Sequence, residues 1–392
     1  MAVGALIGAY QENDSGALRA LLPLAGRTLV EYQARCASAA GAAPIVVVVE
    51  RVPQPLQDAF ERLRLDGIGI FPVSEVNEAL SRFEAGSMIL LMADGLAPAI
   101  DLVVTLAEEP EPAVAVVPDD EEHEAFERID ASSRWAGVAL VNARLLGSTA
   151  AMLGDWDLQS TLLRRTIQEG ARRIAAVDSG GEPLLAESAD QLAGFQRHLL
   201  EASRGIRSDW ASRYVLPLVE DLATEHLMET PVKPSWLLLM ALALTLGGAV
   251  CFTRGWLGAG LILLVLSTPL DLIAARLATI RLKPLPARVW SRLALWPAAG
   301  LALLAIGLWE MRHGTGWGAA VAAAAGCAFA EAAAIERLGA PSGAETWLFS
   351  RRNAVFLAIP FAIGGVWTVF LLVLLLYAAV SFFIIQRARH AS

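Results

Sequence analysis

The sequence predicts two folds in series: an α/β domain with a mixed, mostly parallel sheet over residues 1–205, and an all-α membrane domain of six helices over 234–392. An amphipathic connector, 206–233, joins them. Three observations predict this. Short β-rich apolar runs alternate with helical stretches through the first 200 positions. Six apolar runs then follow one another after residue 235. Charge also divides between the halves: residues 1–206 carry 16 Lys and Arg against 30 Asp and Glu, a net of −14, whereas residues 207–392 carry 15 against 10, a net of +5. An acidic soluble half and a basic, apolar half imply two different solvents.

In the first half, "AVGALIG" (2–8), "PIVVVVE" (44–50), "GIGIFPV" (67–73), "SMILLMA" (87–93), "AVAVVP" (113–118) and "AGVALVN" (136–142) read as buried strands. Between them, "TLVEYQARCASAA", "PLQDAFERLRL" and "EALSRFEAG" have helical spacing. Strand and helix in alternation argue for right-handed crossovers onto a largely parallel sheet. The chain as a whole has a net charge of −9, which argues against a nucleic-acid surface.

The connector places Trp210, Tyr214, Leu218, Leu222 and Leu227 on one helical stripe, as in a helix on a membrane surface or between domains. The apolar runs span roughly 236–252, 255–273, 290–309, 316–335, 353–366 and 367–386, the last two divided by Gly364-Gly365. The opening "MAVGALIGAYQEND" has no basic leader, so the first domain is expected in the cytoplasm. Arg276, Arg281, Lys283 and Arg288, then Arg337, Arg351 and Arg352, then Arg387 and Arg389 fall on the same side of six spans. The two opposite connections carry only Arg254 and Arg312. That asymmetry predicts a multi-pass protein of a bacterial-type inner membrane with both ends cytoplasmic.

Cys36, Cys251 and Cys327 fit no zinc or redox spacing. Lys233 and Lys283 are the only lysines, which removes lysine chemistry from the α/β half. Glu331, inside the fourth apolar run, is an intramembrane acid and so a candidate functional residue or a helix-interface glutamate. The run Asp119 to Glu127 reads as a solvated loop. The basic cluster Arg276, Arg281, Lys283 and Arg288 suits cytoplasmic anchoring, or contact with phosphate or anionic lipid.

"TPLDLIAAR", Thr268 to Arg276, resembles the start of the CDP-alcohol phosphotransferase motif, DxxDGxxAR followed by GxxxDxxxD. Asp271 matches the second aspartate and Ala275-Arg276 match, but Thr268 stands at the first aspartate and Leu272 at the glycine. "TPVKPSW" before the first span resembles that family's "TPxTPN", and the six-span layout agrees. The resemblance implies four aspartates holding two divalent metals, and a dimer through the membrane domain. Here no Asp or Glu occurs between Asp271 and Glu310. Two hard cations need several anionic oxygens, so a lone Asp271 cannot organise them.

In the first half, "ALIGAYQENDSGALRALLPLAGRTLVEY" resembles the "LAAGxGxRxxxxxPKxLLPVxGKPLIEY" of GT-A-type nucleotidyltransferases. Leu22-Pro23-Leu24, Gly26 and Leu29-Val30-Glu31-Tyr32 match; Gly8 keeps the first glycine, Tyr10 replaces the second, Glu12 lies near the expected arginine, and Arg19 replaces the lysine. The resemblance implies a triphosphate cradled by loop amides. It further implies Mg²⁺ held at Asp94, which ends "MILLMADG", and at Glu187 in "GGEPLLAESADQL". Gly8, Arg19 and Asp94 are thus nucleotide-binding candidates, and Asp94, Glu187 and Asp271 metal candidates.

Both domains in this order resemble the fused inositol-1-phosphate cytidylyltransferase and CDP-inositol transferase enzymes. Loss of the membrane carboxylates points to a non-catalytic scaffold or subunit in phospholipid or polar head-group biosynthesis, with membrane lipid and a second copy as partners. The alternatives are a membrane-tethered cytidylyltransferase making a CDP-polyol from CTP, and a working CDP-alcohol phosphotransferase.

Overall fold

The computed structural model describes residues 2–84, 86–152, 158–177, 182–205, 207, 209–230, 232–283, 290–336 and 345–391, with the backbone alone at 290–292, 315 and 391. Arg288 and Arg337 lie outside the described residues. The chain divides into two compact units: Met1–Leu199 with Arg281–Lys283, and Leu200–Ile280 with Pro284–Ser392.

The first unit is built on a seven-stranded sheet. In chain order its strands are β1 (Val3–Gly8), β4 (Ile45–Val48), β5 (Ile70–Val73), β6 (Met88–Met92), β8 (Ala113–Pro118), β9 (Ser133–Asn142) and β10 (Arg172–Ala175). Short pairs β2 (Pro23–Leu24) with β3 (Arg27–Thr28), and β7 (Leu96–Ala97) with β11 (Leu184–Leu185), lie outside it. The sheet order is β10-β8-β9-β6-β1-β4-β5. β1 is parallel to β4 and β6, whereas β9 runs antiparallel to both β6 and β8, which gives the mixed, mostly parallel sheet expected. β1 and β6 are apolar runs, almost wholly buried, as strands covered on both faces must be.

Helices α1 (Leu29–Ala39), α2 (Gln54–Leu65), α3 (Val76–Ser81), α4 (Ile100–Glu108), α5 (Ala143–Ala150), α6 (Leu158–Gln168) and α7 (Ala189–Ala202) supply the crossovers and flanks. At the start of α1, Glu31 is fully buried yet satisfied: its carboxylate accepts from the Thr28 backbone N–H (3.0 Å) and from Arg62 Nε and Nη2 (3.0 and 2.8 Å). Burial pushes this carboxyl up, but Arg62 and Thr28 outweigh it and hold it below the usual carboxylate range.

The second unit is helical. It comprises α8 (Pro217–Met228), α9 (Pro234–Thr253), α10 (Leu257–Ser267), α11 (Leu270–Ile280), α12 (Trp290–Glu310), α13 (Gly318–Glu336), α14 (Arg351–Ile363) and α15 (Trp367–Ala391). Among the described residues five helices, not six, are long and apolar enough to cross a membrane: Pro234–Thr253, Leu257–Ile280, Leu293–Gly314, Gly318–Glu336 and Trp367–His390. They mark this half as a multi-pass membrane domain. The apolar run at 353–366 differs because its helix, α14, has only 13 residues and ends where Gly365 takes φ 67°. Thirteen residues reach about 20 Å, short of a hydrocarbon core of about 30 Å.

The connector's α8 also departs from the usual amphipathic arrangement. It buries Glu220 and Thr224 and turns Leu218 (84% exposed) and Leu222 (72%) outward, in line with exposed Tyr214. The cause is Arg276 of α11. Its guanidinium donates to Asp221 Oδ1 (2.7 Å), Ser203 Oγ (3.2 Å) and the Leu200 carbonyl (2.8 Å), and lies 3.3 Å from Glu220.

Candidate functional site

Four candidates from the sequence meet at one end of the α/β sheet: Gly8, Arg19, Asp94 and Glu187. β6 ends at Met92 and delivers Asp94 two residues later, beside the end of β1. Asp94 Oδ2 accepts from the backbone N–H groups of Tyr10 and Gln11, each at 2.6 Å. The loop after β1 therefore aims its second and third amides at a carboxylate, the first, that of Ala9, going to the Val48 carbonyl. Beyond them, Asn13 Oδ1 accepts from the Ser15 and Ala17 N–H groups and shapes the turn.

Gly8 and Gly95 are demanded by crowding around this acid. A Cβ on Gly8 would sit 2.7 Å from Gln159 Nε2 and 3.2 Å from Asp94 Cβ. Gly95 has φ +74°, and a Cβ there would meet the Ala186 carbonyl at 2.9 Å and Arg19 Cδ at 3.2 Å. Gly8 thus makes room for Asp94 rather than for a ligand directly. Pairing of β11 with β7, with Ala186 N–H donating to the Gly95 carbonyl at 2.8 Å, carries Glu187 to the same place.

Arg19 closes the constellation. Its guanidinium donates to Glu187 Oε1 at 2.7 Å and to Gln11 Oε1 at 3.2 Å. Glu187 is 55% exposed in its side chain, so this pair faces solvent and is readily exchanged. Asp94, by contrast, is 2% exposed. Burial pushes its carboxyl up, against the opposing pull of the Gln11 and Tyr10 amides.

A cavity of about 200 Å³ adjoins Asp94, lined among others by Gln11, Phe126, Glu127, Trp135, Gln159 and Ser160. Two buried atoms in its lining residues, Asp94 Oδ1 and Trp135 Nε1, have no hydrogen-bond partner among the described residues. One is an acceptor and the other a donor, and unsatisfied buried polar atoms of this kind are costly unless something polar meets them. Glu127 Oε2 in the same wall accepts from Ser160 Oγ at 2.8 Å. The sequence reading missed Trp135, Gln11, Gln159, Ser160 and Glu127, because a tryptophan opening a strand or a glutamine on a helix carries no chemical signature by itself.

The remaining candidates do not join this site. Asp271 lies on α11 in the helical unit, where Oδ1 accepts from Arg351 Nη2 (3.2 Å) and Oδ2 from Arg352 Nη2 (2.6 Å). Arg352 Nη1 also donates to Asp209 Oδ2 at 2.7 Å, and Arg351 Nη1 to Ser267 Oγ at 3.4 Å. Two guanidinium groups at the start of α14 oppose its dipole, and the two aspartates offset them. Arg276 is engaged by α8 as described, Arg281 is buried and Lys283 is exposed. No group of three His, Cys, Asp or Glu able to hold a metal occurs among the described residues. Glu331 accepts from the Trp296 indole N–H. The acidic run is a loop with Asp120, Glu121, Glu122 and Glu124 exposed, as expected, in which buried His123 pairs with Asp120 and Asp119 pairs with Arg134.

An α/β sheet whose strand ends gather a loop of amides, a buried aspartate and an arginine defines a nucleotidyltransferase-like domain. Residues 15–208 match the family model of the MobA-like NTP transferase domain. The match takes in Arg19, Asp94 and Glu187 but begins after Gly8. A Bacillus anthracis protein assigned as a glucose-1-phosphate thymidylyltransferase, solved with sucrose, aligns over 50% of this chain and 95% of its own at 10% identity and a TM-score of 0.40. A nucleotidyl transferase from Methanothermobacter thermautotroptrophicus aligns over 51% of this chain and 99% of its own at 18% identity and a TM-score of 0.37. Among proteins of curated function, none matches the chain.

Proposed function

We propose that the chain is a membrane-anchored nucleotidyltransferase, whose α/β half moves a nucleotidyl group from a nucleoside triphosphate such as CTP to a phosphorylated small molecule. The observation that carries this reading is Asp94: one oxygen is fixed by the loop amides, while the other is buried without a partner in the wall of a cavity. In the reaction, an acceptor phosphate oxygen attacks the α-phosphorus, the bond from that phosphorus to the bridging oxygen of the β-phosphate breaks, and pyrophosphate leaves. Little covalent chemistry is asked of the protein, so positioning and charge stabilisation dominate. Arg19, held beside Gln11 and able to exchange Glu187 for an incoming anion, supplies a cation for the phosphates.

The donor set fits Mg²⁺, which is commonly held by one or two carboxylates together with substrate phosphates. Asp94 Oδ1 and Glu187 would hold it, and when bound it would neutralise charge on the phosphates. On this reading the helical half is an anchor rather than a second transferase, since both oxygens of Asp271 are taken by arginines.

A second reading, a scaffold without catalysis, is favoured by the bulky Tyr10 and by the Arg19–Glu187 pair standing where phosphate would go. Thermal unfolding of the purified full chain in detergent, with and without CTP and Mg²⁺, separates the two. The transferase reading requires a nucleotide-dependent rise that Asp94→Ala abolishes, together with pyrophosphate release when sugar or polyol phosphates are added. No rise with any of the four nucleoside triphosphates would leave the scaffold.

A further inference from the structure

The helical unit contains a cavity of its own, about 340 Å³ in volume, within the range of pockets that hold small ligands. Its space arises where small residues from three helices face one another: Gly300 and Ala302 of α12, Ala328 and Ala330 of α13, Ala354 and Ala358 of α14. Phe252, Leu264, Trp367 and Phe370 close the rest of the wall. Among the described residues, Arg351 and Glu331 are the only charged side chains in the lining. Arg351 is tied to Ser267 and Asp271, and Glu331 to Trp296.

The rim tells where an occupant would come from. Pro297, Ala328 and Glu331 are exposed, whereas Ala302, Ala330 and Phe370 inside are buried. All three rim residues lie on α12 and α13, two of the helices long and apolar enough to cross a membrane. Pro297 interrupts the hydrogen-bond ladder of α12 at this opening. What surrounds such helices in a bilayer is hydrocarbon. Water finds too few polar partners inside to be held, and an apolar space of this size left empty forfeits dispersion contacts along its whole wall.

We propose that this cavity takes one acyl chain of a membrane phospholipid, entering sideways between α12 and α13 past Pro297, Ala328 and Glu331. The site is independent of nucleotidyl transfer in the α/β half. The chain lies among Ala302, Leu303, Ala330 and Phe370.

The test uses the full chain in phosphatidylcholine vesicles doped with a phosphatidylcholine that carries a photoactivatable diazirine on one acyl chain. After irradiation, adducts are mapped by peptide mass spectrometry. Adducts on Gly300–Leu303 and on Ala328–Ala330 are expected. They should fall at least tenfold in Ala330→Phe, which fills the interior, and in Ala328→Trp, which blocks the rim and changes only an exposed position. Labelling of exposed Leu372 on α15 should be unchanged. Adducts confined to outward residues such as Leu372, or interior labelling that survives Ala328→Trp, would overturn the proposal. A parallel run with free diazirine-labelled palmitate identifies the source: interior labelling by the free acid and not by the phospholipid also overturns it.

Discussion

Asp271 and Arg352 are joined directly, Arg352 Nη2 donating to Asp271 Oδ2 at 2.6 Å, with Arg351 on the other oxygen of the same carboxylate. A guanidinium pair occupies the charge of an acid that the sequence pattern assigns to metal. Removing Asp271 should therefore leave Arg351 without an acid and Arg352 with Asp209 alone, instead of releasing an ion. Asp271→Asn is expected to cost roughly 3 kcal/mol, read as a lower unfolding temperature in detergent, and Arg351→Met in the same chain should restore part of it, since Arg352 keeps Asp209. A stabilising response to Mg²⁺ that vanishes in Asp271→Asn would contradict this.

Asp94 should show the opposite behaviour. Its native carboxyl is raised by burial, so its contribution to stability is complete below the unfolded value and is lost as pH rises through the native one. Asp94→Asn keeps an acceptor for the Tyr10 and Gln11 amides and has no charge to desolvate. It should stabilise the α/β half by roughly 1 kcal/mol at pH 7, with a gain that shrinks toward pH 4, while nucleotide binding is lost. Calorimetry across pH, with and without CTP and Mg²⁺, reads both effects.

For Glu31 the sign reverses. Its native pKa is depressed, so its stabilisation is present above the unfolded carboxylate value and is lost as pH falls through the native one. Glu31→Gln should destabilise by roughly 1–3 kcal/mol at pH 7, and the penalty should fade in acid as the wild type loses its own ion pair with Arg62. Urea unfolding at pH 7 and pH 3 is the measurement.

Gly95→Ala places a methyl group against the Ala186 carbonyl at a positive φ. Strain of about 1 kcal/mol or more is expected. Because Gly95 also accepts the Ala186 N–H that steers Glu187, the dissociation constant for CTP should rise by more than the loss of stability explains. Isothermal titration calorimetry beside thermal unfolding checks this.

Sidedness of the tail distinguishes five crossings from six. If α14, lengthened by its apolar neighbours on each side, crosses as a sixth segment, then Arg387 and Arg389 lie on the same side as the α/β half, as their charge favours. A cysteine in place of Ser392 should then react with membrane-impermeant maleimide only after the cytoplasmic face is opened. Reaction in intact cells would mean five.

The α/β half was largely legible because its strands are continuous apolar runs and because Asp94 follows one of them with a glycine behind it. Glu187 was legible only through the resemblance, since a glutamate in a loop has no physical signature. The contacts that define the helical half were not legible. Arg352 meets Asp209 across 143 residues and Asp271 across 81, and charge counting treats Arg351 and Arg352 as loop anchors. Hydropathy likewise shows that residues 353–366 are apolar but not that helix α14 stops after 13 residues. For α8, periodicity reveals the stripe of Tyr214, Leu218 and Leu222 but not which way it points; Arg276 decides that by capturing the polar face.

That inside-out helix bears on any attempt to separate the halves. A polypeptide ending at Met228 would bring a greasy ridge into buffer and leave Glu220 and Asp221 without their counter-charge on α11. Stopping ahead of Leu200 avoids both faults, so the workable seam for a separate α/β fragment lies before the linker helix, not behind it.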